Sequence, residues 1–194
     1  MSLLRKLFGA PPTQPAARPY VDAGVRLTHR IVESLKLQGW EIGDQGIQPV
    51  YTQDEMDAIN EGLARFQRLA DSTMGGRAVF HPDAAGEVQR KCAGDALEEL
   101  AGGTWKFSAK DTVPEDWRLR ISTYLKAWAC QLNPQVLLDM AEMLAHAGYK
   151  TEAKEALEVV LLFPSYSRRY FGSADTSELV NSIVEEATKT LLAL

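Results

Sequence analysis

The sequence predicts a mainly α-helical domain with a small β-hairpin or sheet in its N-terminal half. Three observations carry that expectation. Apolar residues recur at three- and four-residue spacing through most of the chain beyond residue 20, as one buried helix face requires. Recognisable caps and breakers separate these runs, notably Thr52–Glu55, Asn133-Pro134 and Gly148. Apolar–polar alternation, the strand pattern, is confined to short stretches near residues 40–51 and 105–107.

Composition bounds the function classes. A chain of 194 residues buries roughly 70% of its unfolded surface and needs no metal or disulfide staple. Hydrophobic residues at 45% and charged residues at 24% are ordinary globular values. The net charge of −5, from 21 basic and 26 acidic residues, argues against a nucleic-acid surface, which needs clustered Lys and Arg. The charge is uneven. Residues 1–30 carry Arg5, Lys6, Arg18, Arg26 and Arg30 against Asp22 alone, so the acidic excess lies in the remainder. Cys92 and Cys130 share no metal-type spacing and read as free thiols of a reducing compartment. Met1–Gly9 has too short and broken an apolar run for an export signal, and no stretch approaches a membrane span. The expected location is the cytoplasm.

In chain order, residues 1–19 contain Pro11, Pro12, Pro15 and Pro19 and read as an extended N-terminal arm. Its first nine residues could form one amphipathic turn for peripheral membrane contact, the alternative being a tail lying on its own domain. Residues 20–111 form a helical part with short strands. Val21, Val25, Thr28, Val32 and Leu35 mark the first helix, with Gly39 as its stop. Trp40–Ile42 and Ile47–Tyr51 flank a Gly-rich turn, with Pro49 restricting the second strand to an edge. Thr52–Glu55 is a capping box ahead of Met56, Ile59, Leu63, Phe66 and Ala70. Arg77–His81 reads as a short extended piece. Pro82 opens a helix to about residue 101, with Val88, Cys92 and Leu100 inward. Trp105 and Phe107 mark a second short strand.

Residues 112–194 form the C-terminal helical part, packed into one unit with 20–111. Thr112–Glu115 opens a helix with Trp117, Ile121, Tyr124, Leu125 and Trp128 on one side. Asn133 caps a helix with Pro134 at its first position and Leu137, Met140, Ala141 and Leu144 inward. Gly148 breaks the chain. Lys150–Phe163 continues with Ala153, Ala156, Leu157, Val160 and Leu161 inward, and Pro164 stops it. Asp175–Glu178 caps a last helix carrying Leu179, Ile183, Val184, Ala187 and Leu191.

Residues 134–164 resemble a tetratricopeptide repeat, a pair of antiparallel helices with small and large apolar residues at fixed points and Gly at the turn. With Gly148 as the turn glycine, Leu137, Met140, Ala141 and Leu144 fall on the first-helix positions. Ala153, Leu157 and Val160 fall on those of the second. The resemblance covers this hairpin alone, since residues 100–133 do not repeat it. It implies a fold built for holding a protein or peptide partner.

Catalytic and metal chemistry finds little support, and no catalytic residue, metal ligand or cofactor is assigned. His29/Glu33 and Glu142/His146 are i,i+4 pairs that read as side-chain contacts rather than a metal site. Cys130 sits among apolar residues as a buried thiol. Cys92 follows Arg90 and Lys91, which would lower its pKa if exposed. Gly75-Gly76-Arg77 lacks the lysine and hydroxyl residue of a phosphate loop. The surface segment Ser165–Phe171 supplies the candidate partner-binding residues Tyr166, Arg168, Arg169, Tyr170 and Phe171, residue types that dominate interface cores. Its alternative reading is a loop whose rings plug the core. Two functions stay open: a protein-interaction or scaffold module, and a small-molecule binder or enzyme with a pocket between the two halves. Trp40, His81, Trp105 and Trp117 would line such a pocket.

Overall fold

The computed structural model describes residues 18–44, 46–73, 82–102, 113–171 and 176–194, with side chains 18, 70–73, 82–85 and 168–171 outside that description. The described chain is mostly helical. Its elements are α1 (Arg18–Leu35), β1 (Trp40–Gly43), β2 (Gly46–Pro49), α2 (Gln53–Thr73), α3 (Pro82–Ala101), α4 (Trp117–Gln131), α5 (Pro134–His146), α6 (Lys150–Val160), α7 (Pro164–Phe171) and α8 (Ser177–Ala193). The expected arm, the extended piece 77–81 and the strand at 105–107 lie outside the described residues.

The hairpin forms where alternation predicts it. Trp40 pairs with Pro49, Glu41 with Gln48 and Ile42 with Ile47 in one antiparallel two-stranded sheet. Pro49 takes the last register position, where its missing N–H is least costly. The capping box is also in place. Thr52 N–H donates to Glu55 Oε2 at 2.8 Å, and Glu55 N–H donates to Thr52 Oγ1 at 3.2 Å, so two donors at the start of α2 are satisfied reciprocally.

α4 is the organising helix. Every residue from Ile121 to Trp128 is buried, because α1, α3 and α5 pack around it. A helix enclosed on all sides has no polar stripe to reserve for water. Leu132 ends it in the left-handed region at φ 55°, its N–H donating to Trp128 O at 2.7 Å. Asn133 then accepts from Gln135 N–H at 3.1 Å and caps α5, with Pro134 at the first turn.

α5 and α6 pack against each other across a turn in which Gly148 sits at φ +87°, a conformation that penalises any side chain. Leu137, Met140, Ala141, Leu144, Ala153, Ala156, Leu157 and Val160 are all buried as expected. α6 is covered by its own chain on two sides, by α1 and by α8. Ser34 Oγ donates to Glu152 Oε1 at 3.1 Å, and Arg30 pairs with Glu155.

Several boundaries and faces differ from expectation. α4 begins at Trp117, after a turn at Glu115–Asp116, rather than at Thr112–Glu115. α6 ends at Val160, and Pro164 opens α7 instead of terminating the chain's helical run. The face of α1 centres on Tyr20, Leu27 and Ile31, leaving Val25 at 49% exposure. Leu100 and Leu179, expected inward, are exposed, while Ala93, Ala96 and Leu97 of α3 and Val180 of α8 are buried. Thr176 precedes α8 without a side-chain cap hydrogen bond.

Candidate functional site

The most concentrated chemistry lies where the hairpin and the start of α2 meet α4. Lys126, in the middle of α4, points its ammonium at Glu55 Oε2, 2.7 Å away, with both side chains essentially excluded from water. The same Nζ donates to Val50 O at 2.9 Å and stands 5.5 Å from the centre of the Tyr51 ring. Glu55 Oε1 accepts from Thr123 Oγ1 at 2.9 Å. The carboxylate therefore receives Lys126, Thr123 and the Thr52 N–H. A backbone carbonyl, a carboxylate and a ring face hold the ammonium. Gly39, at φ +80°, closes the group: a Cβ there would come within 2.7 Å of Lys126 Nζ.

Two neighbouring contacts extend this cluster. Tyr51 Oη and Cys130 Sγ are 3.7 Å apart. Burial pushes the Cys130 thiol up to about 11, against the opposing Tyr51 hydrogen bond. Burial also raises Tyr51, with the charges of Cys130 and Glu55 adding to the effect, so both groups stay protonated near neutrality. Trp40 Nε1–H donates to Ser122 Oγ at 2.9 Å, and Ser122 donates on to Gln38 O at 3.0 Å. Lysine, glutamate, tyrosine and cysteine together suggest acid–base chemistry. Here each is matched by an internal partner, so the arrangement clamps the hairpin and α2 to α4.

The expected partner-binding segment lies in α7, a short helix rather than a loop. Tyr166 is half-buried and stacks on Tyr20 with ring centroids 5.4 Å apart, beside Phe163. Tyr20 in turn meets Trp128 and Phe163 edge-on, accepts from Trp128 Nε1–H at 2.9 Å and donates to Leu132 O at 3.0 Å. Tyr166 thus plugs the junction of α1, α4 and α7. The side chains of Arg168, Arg169, Tyr170 and Phe171 lie outside the described residues, as do those of His81 and Trp105.

A second aromatic cluster lies half-buried at the start of α4, packed against the edge of the core. The Trp117 and Tyr149 rings lie 5.1 Å apart, tilted by 39°. Arg118 places its guanidinium 4.8 Å from the Trp117 ring centre and 3.4 Å from Tyr149 Oη. Leu119, on the same turn, is exposed. Trp117 packs against the core on the apolar face expected of it, whereas nothing in the sequence pattern marks Tyr149. The clue was the Trp-Arg pair at the end of a proline-containing stretch, but Tyr149 joins it only through the Gly148 turn.

The first of the i,i+4 pairs is a surface contact. His29 Nδ1 lies 3.2 Å from Glu33 Oε2 on an exposed face. Among the described residues, no three His, Cys, Asp or Glu side chains are grouped to hold a metal ion. No described helix is long and apolar enough to cross a membrane. Cys92 is half-buried, and burial with the charge of Asp95 raises its pKa despite Lys91. The expected lowering therefore gives way to desolvation. No protein-family model, curated protein or solved structure matches the chain.

Proposed function

We propose that this protein is a protein-interaction or scaffold module, with a contact surface centred on Trp117, Arg118, Leu119 and Tyr149. The observation that carries the reading is exposed Arg118 standing over the half-buried Trp117 ring beside Tyr149. Trp, Tyr and Arg bury large areas while freezing few rotamers, and they dominate the energetic centres of interfaces. Arg118, though exposed, is positioned over the Trp117 ring and against Tyr149 Oη, which lowers the ordering cost of binding. The resemblance of residues 134–164 to a tetratricopeptide repeat supports the same class, because the Gly148 turn of that hairpin supplies Tyr149. The set Tyr166, Arg168, Arg169, Tyr170 and Phe171 remains a second candidate surface. The saturated Lys126–Glu55 cluster gives the enzyme alternative no free nucleophile or base.

The test is cross-linking capture from the native host with wild type, Arg118→Glu/Leu119→Asp and Arg168→Glu/Arg169→Glu, all checked for equal melting. A defined protein captured by wild type and lost in the first variant supports the surface. Loss only in the second moves the surface to α7. Capture of no defined protein by wild type overturns the reading.

A further inference from the structure

We infer that Arg118, at the start of α4, and Tyr149, beside the Gly148 turn, receive the carboxylate of a glutamate or aspartate in a peptide segment of a partner protein. The inference rests on the interaction reading above and names the partner's chemistry. Arg118 Nη2 donates to Tyr149 Oη at 3.4 Å, and the guanidinium carbon stands 4.8 Å from the centre of the Trp117 ring. Trp117 and Tyr149 are half-buried and packed against the core, so they form a fixed base for the exposed Arg118. A guanidinium over an indole face keeps N–H donors at its rim, where a carboxylate is met by two parallel hydrogen bonds.

Internal carboxylates leave that capacity unused. Asp116, two residues before Arg118, pairs with Arg120 Nε at 2.9 Å and makes no cap hydrogen bond to α4. Arg30 and Arg65, also exposed, pair with Glu155 and Glu99. Among the described residues no carboxylate, exposed Glu115 included, forms an ion pair with Arg118. Lys150, the residue after Tyr149, is turned to Leu194 O at 3.0 Å.

The tyrosine supplies a second donor. Its oxygen accepts from Arg118, which leaves its own O–H to donate, and no described group takes that hydrogen. Guanidinium and hydroxyl thus offer N–H and O–H donors side by side, one for each oxygen of a carboxylate. A cationic side chain would meet the like charge of Arg118, and a neutral amide would leave that charge unpaired. Leu119, 54% exposed on the same turn, favours a segment with an apolar residue beside the acidic one.

The experiment is an NMR titration of the full chain, followed at the Trp117 indole N–H. The probes are blocked pentapeptides that alternate leucine with glutamate, glutamine, lysine or phosphoserine. The glutamate peptide should shift that signal saturably and bind about fivefold more tightly than the glutamine peptide. Arg118→Gln should bring those two affinities together, whereas Arg65→Gln, which removes the same charge from α2, should leave their ratio within about twofold. Tyr149→Phe keeps the ring and should cut the ratio roughly in half; an unchanged ratio overturns the part assigned to the hydroxyl. The inference is overturned by the absence of a saturable shift, by glutamine or lysine peptides that bind as well as glutamate, or by an equal loss in Arg65→Gln. A phosphoserine peptide bound about tenfold more tightly than glutamate overturns the choice of carboxylate in favour of phosphate. A glutamate preference that fails while capture still depends on Arg118 overturns this inference and leaves the interaction reading standing.

Discussion

Two regions of this molecule hold carboxylates out of water, and they do so in opposite ways. At the clamp, Glu55 receives an ammonium, a hydroxyl and a backbone N–H, and Lys126 receives a carboxylate, a carbonyl and a ring face. Along α3 and α5, called the strip below, half-buried Glu98 accepts from Gln131 Nε2 at 2.7 Å and half-buried Asp139 accepts from Gln135 Nε2 at 2.9 Å, with Glu142 on the same helix as Asp139. A buried charge whose partners are all internal fixes one packing arrangement and offers nothing to a ligand. A half-buried carboxylate close to others of its own sign is held at the expense of stability. Burial by itself therefore does not distinguish a settled polar group from a strained one; the completeness of its partners does.

The largest effect expected from breaking this contrast is at Lys126. Lys126→Met leaves Glu55 buried without its cation and Val50 O without its donor, and should cost about 3–5 kcal/mol in urea unfolding followed by circular dichroism. Lys126→Met/Glu55→Gln removes both charges while a Gln can still serve the α2 cap, so it should be less destabilised than Lys126→Met alone. A double variant weakened by the sum of the two single losses would mean the pair is not a unit.

Packing beneath the strip comes next. A Cβ added at Gly94 would come within 2.7 Å of Gln131 Cγ and 2.8 Å of its Cβ. Gly94→Ala should therefore force α3 away from α4 and cost about 1–3 kcal/mol, measured in the same unfolding assay. A neutral or stabilising result would show that Gln131 moves freely, weakening its link to Glu98.

The strip and the clamp should also separate by pH. The folded pKa values of Asp95, Glu98, Asp139 and Glu142 are raised, with burial as the first cause. In the window above the ordinary carboxylate range the folded state then binds more protons than the unfolded state, so stability falls as pH rises. Their contribution should make the melting temperature higher near pH 5 than near pH 7.5 at fixed salt, and Asp139→Asn/Glu142→Gln should flatten that slope. An identical slope in the variant would show that the strip carries no such strain. The smallest effect is chemical. Near pH 8 iodoacetamide should modify half-buried Cys92 before Cys130, whose thiol is buried and pushed up to about 11. Lys126→Met should speed modification of Cys130 if the clamp governs access, and leave it unchanged if it does not.

Much of the frame was legible along the chain. The capping box at Thr52–Glu55, the Asn133-Pro134 start and the Trp40–Pro49 hairpin each depend on residues within a few positions of one another, and all three form. The functional candidates were less so. Ser165–Phe171 was chosen for its residue types, yet Tyr166 turns inward onto Tyr20, from the other end of the sequence. Lys126 gave one hint: it stands among Tyr124, Leu125, Ala127 and Trp128, a run of apolar residues with little room for a wet side. Its partner Glu55 lay in a different segment, with an evident local job as a cap that concealed its second one.

By itself the sequence determined most of the helical segments, where the hairpin turns, and the caps at Thr52–Glu55 and Asn133-Pro134, because those choices rest on local hydrogen bonds and on spacing. Only the tertiary structure decided which face each helix buries to the residue, as Val25, Leu100 and Leu179 demonstrate. It alone also decided which charges meet across the packed helices. The physical reason is that a helix fixes its neighbours at three- and four-residue spacing, whereas pairs such as Lys126 with Glu55, Trp117 with Tyr149 or Glu98 with Gln131 are set by how separate helices pack.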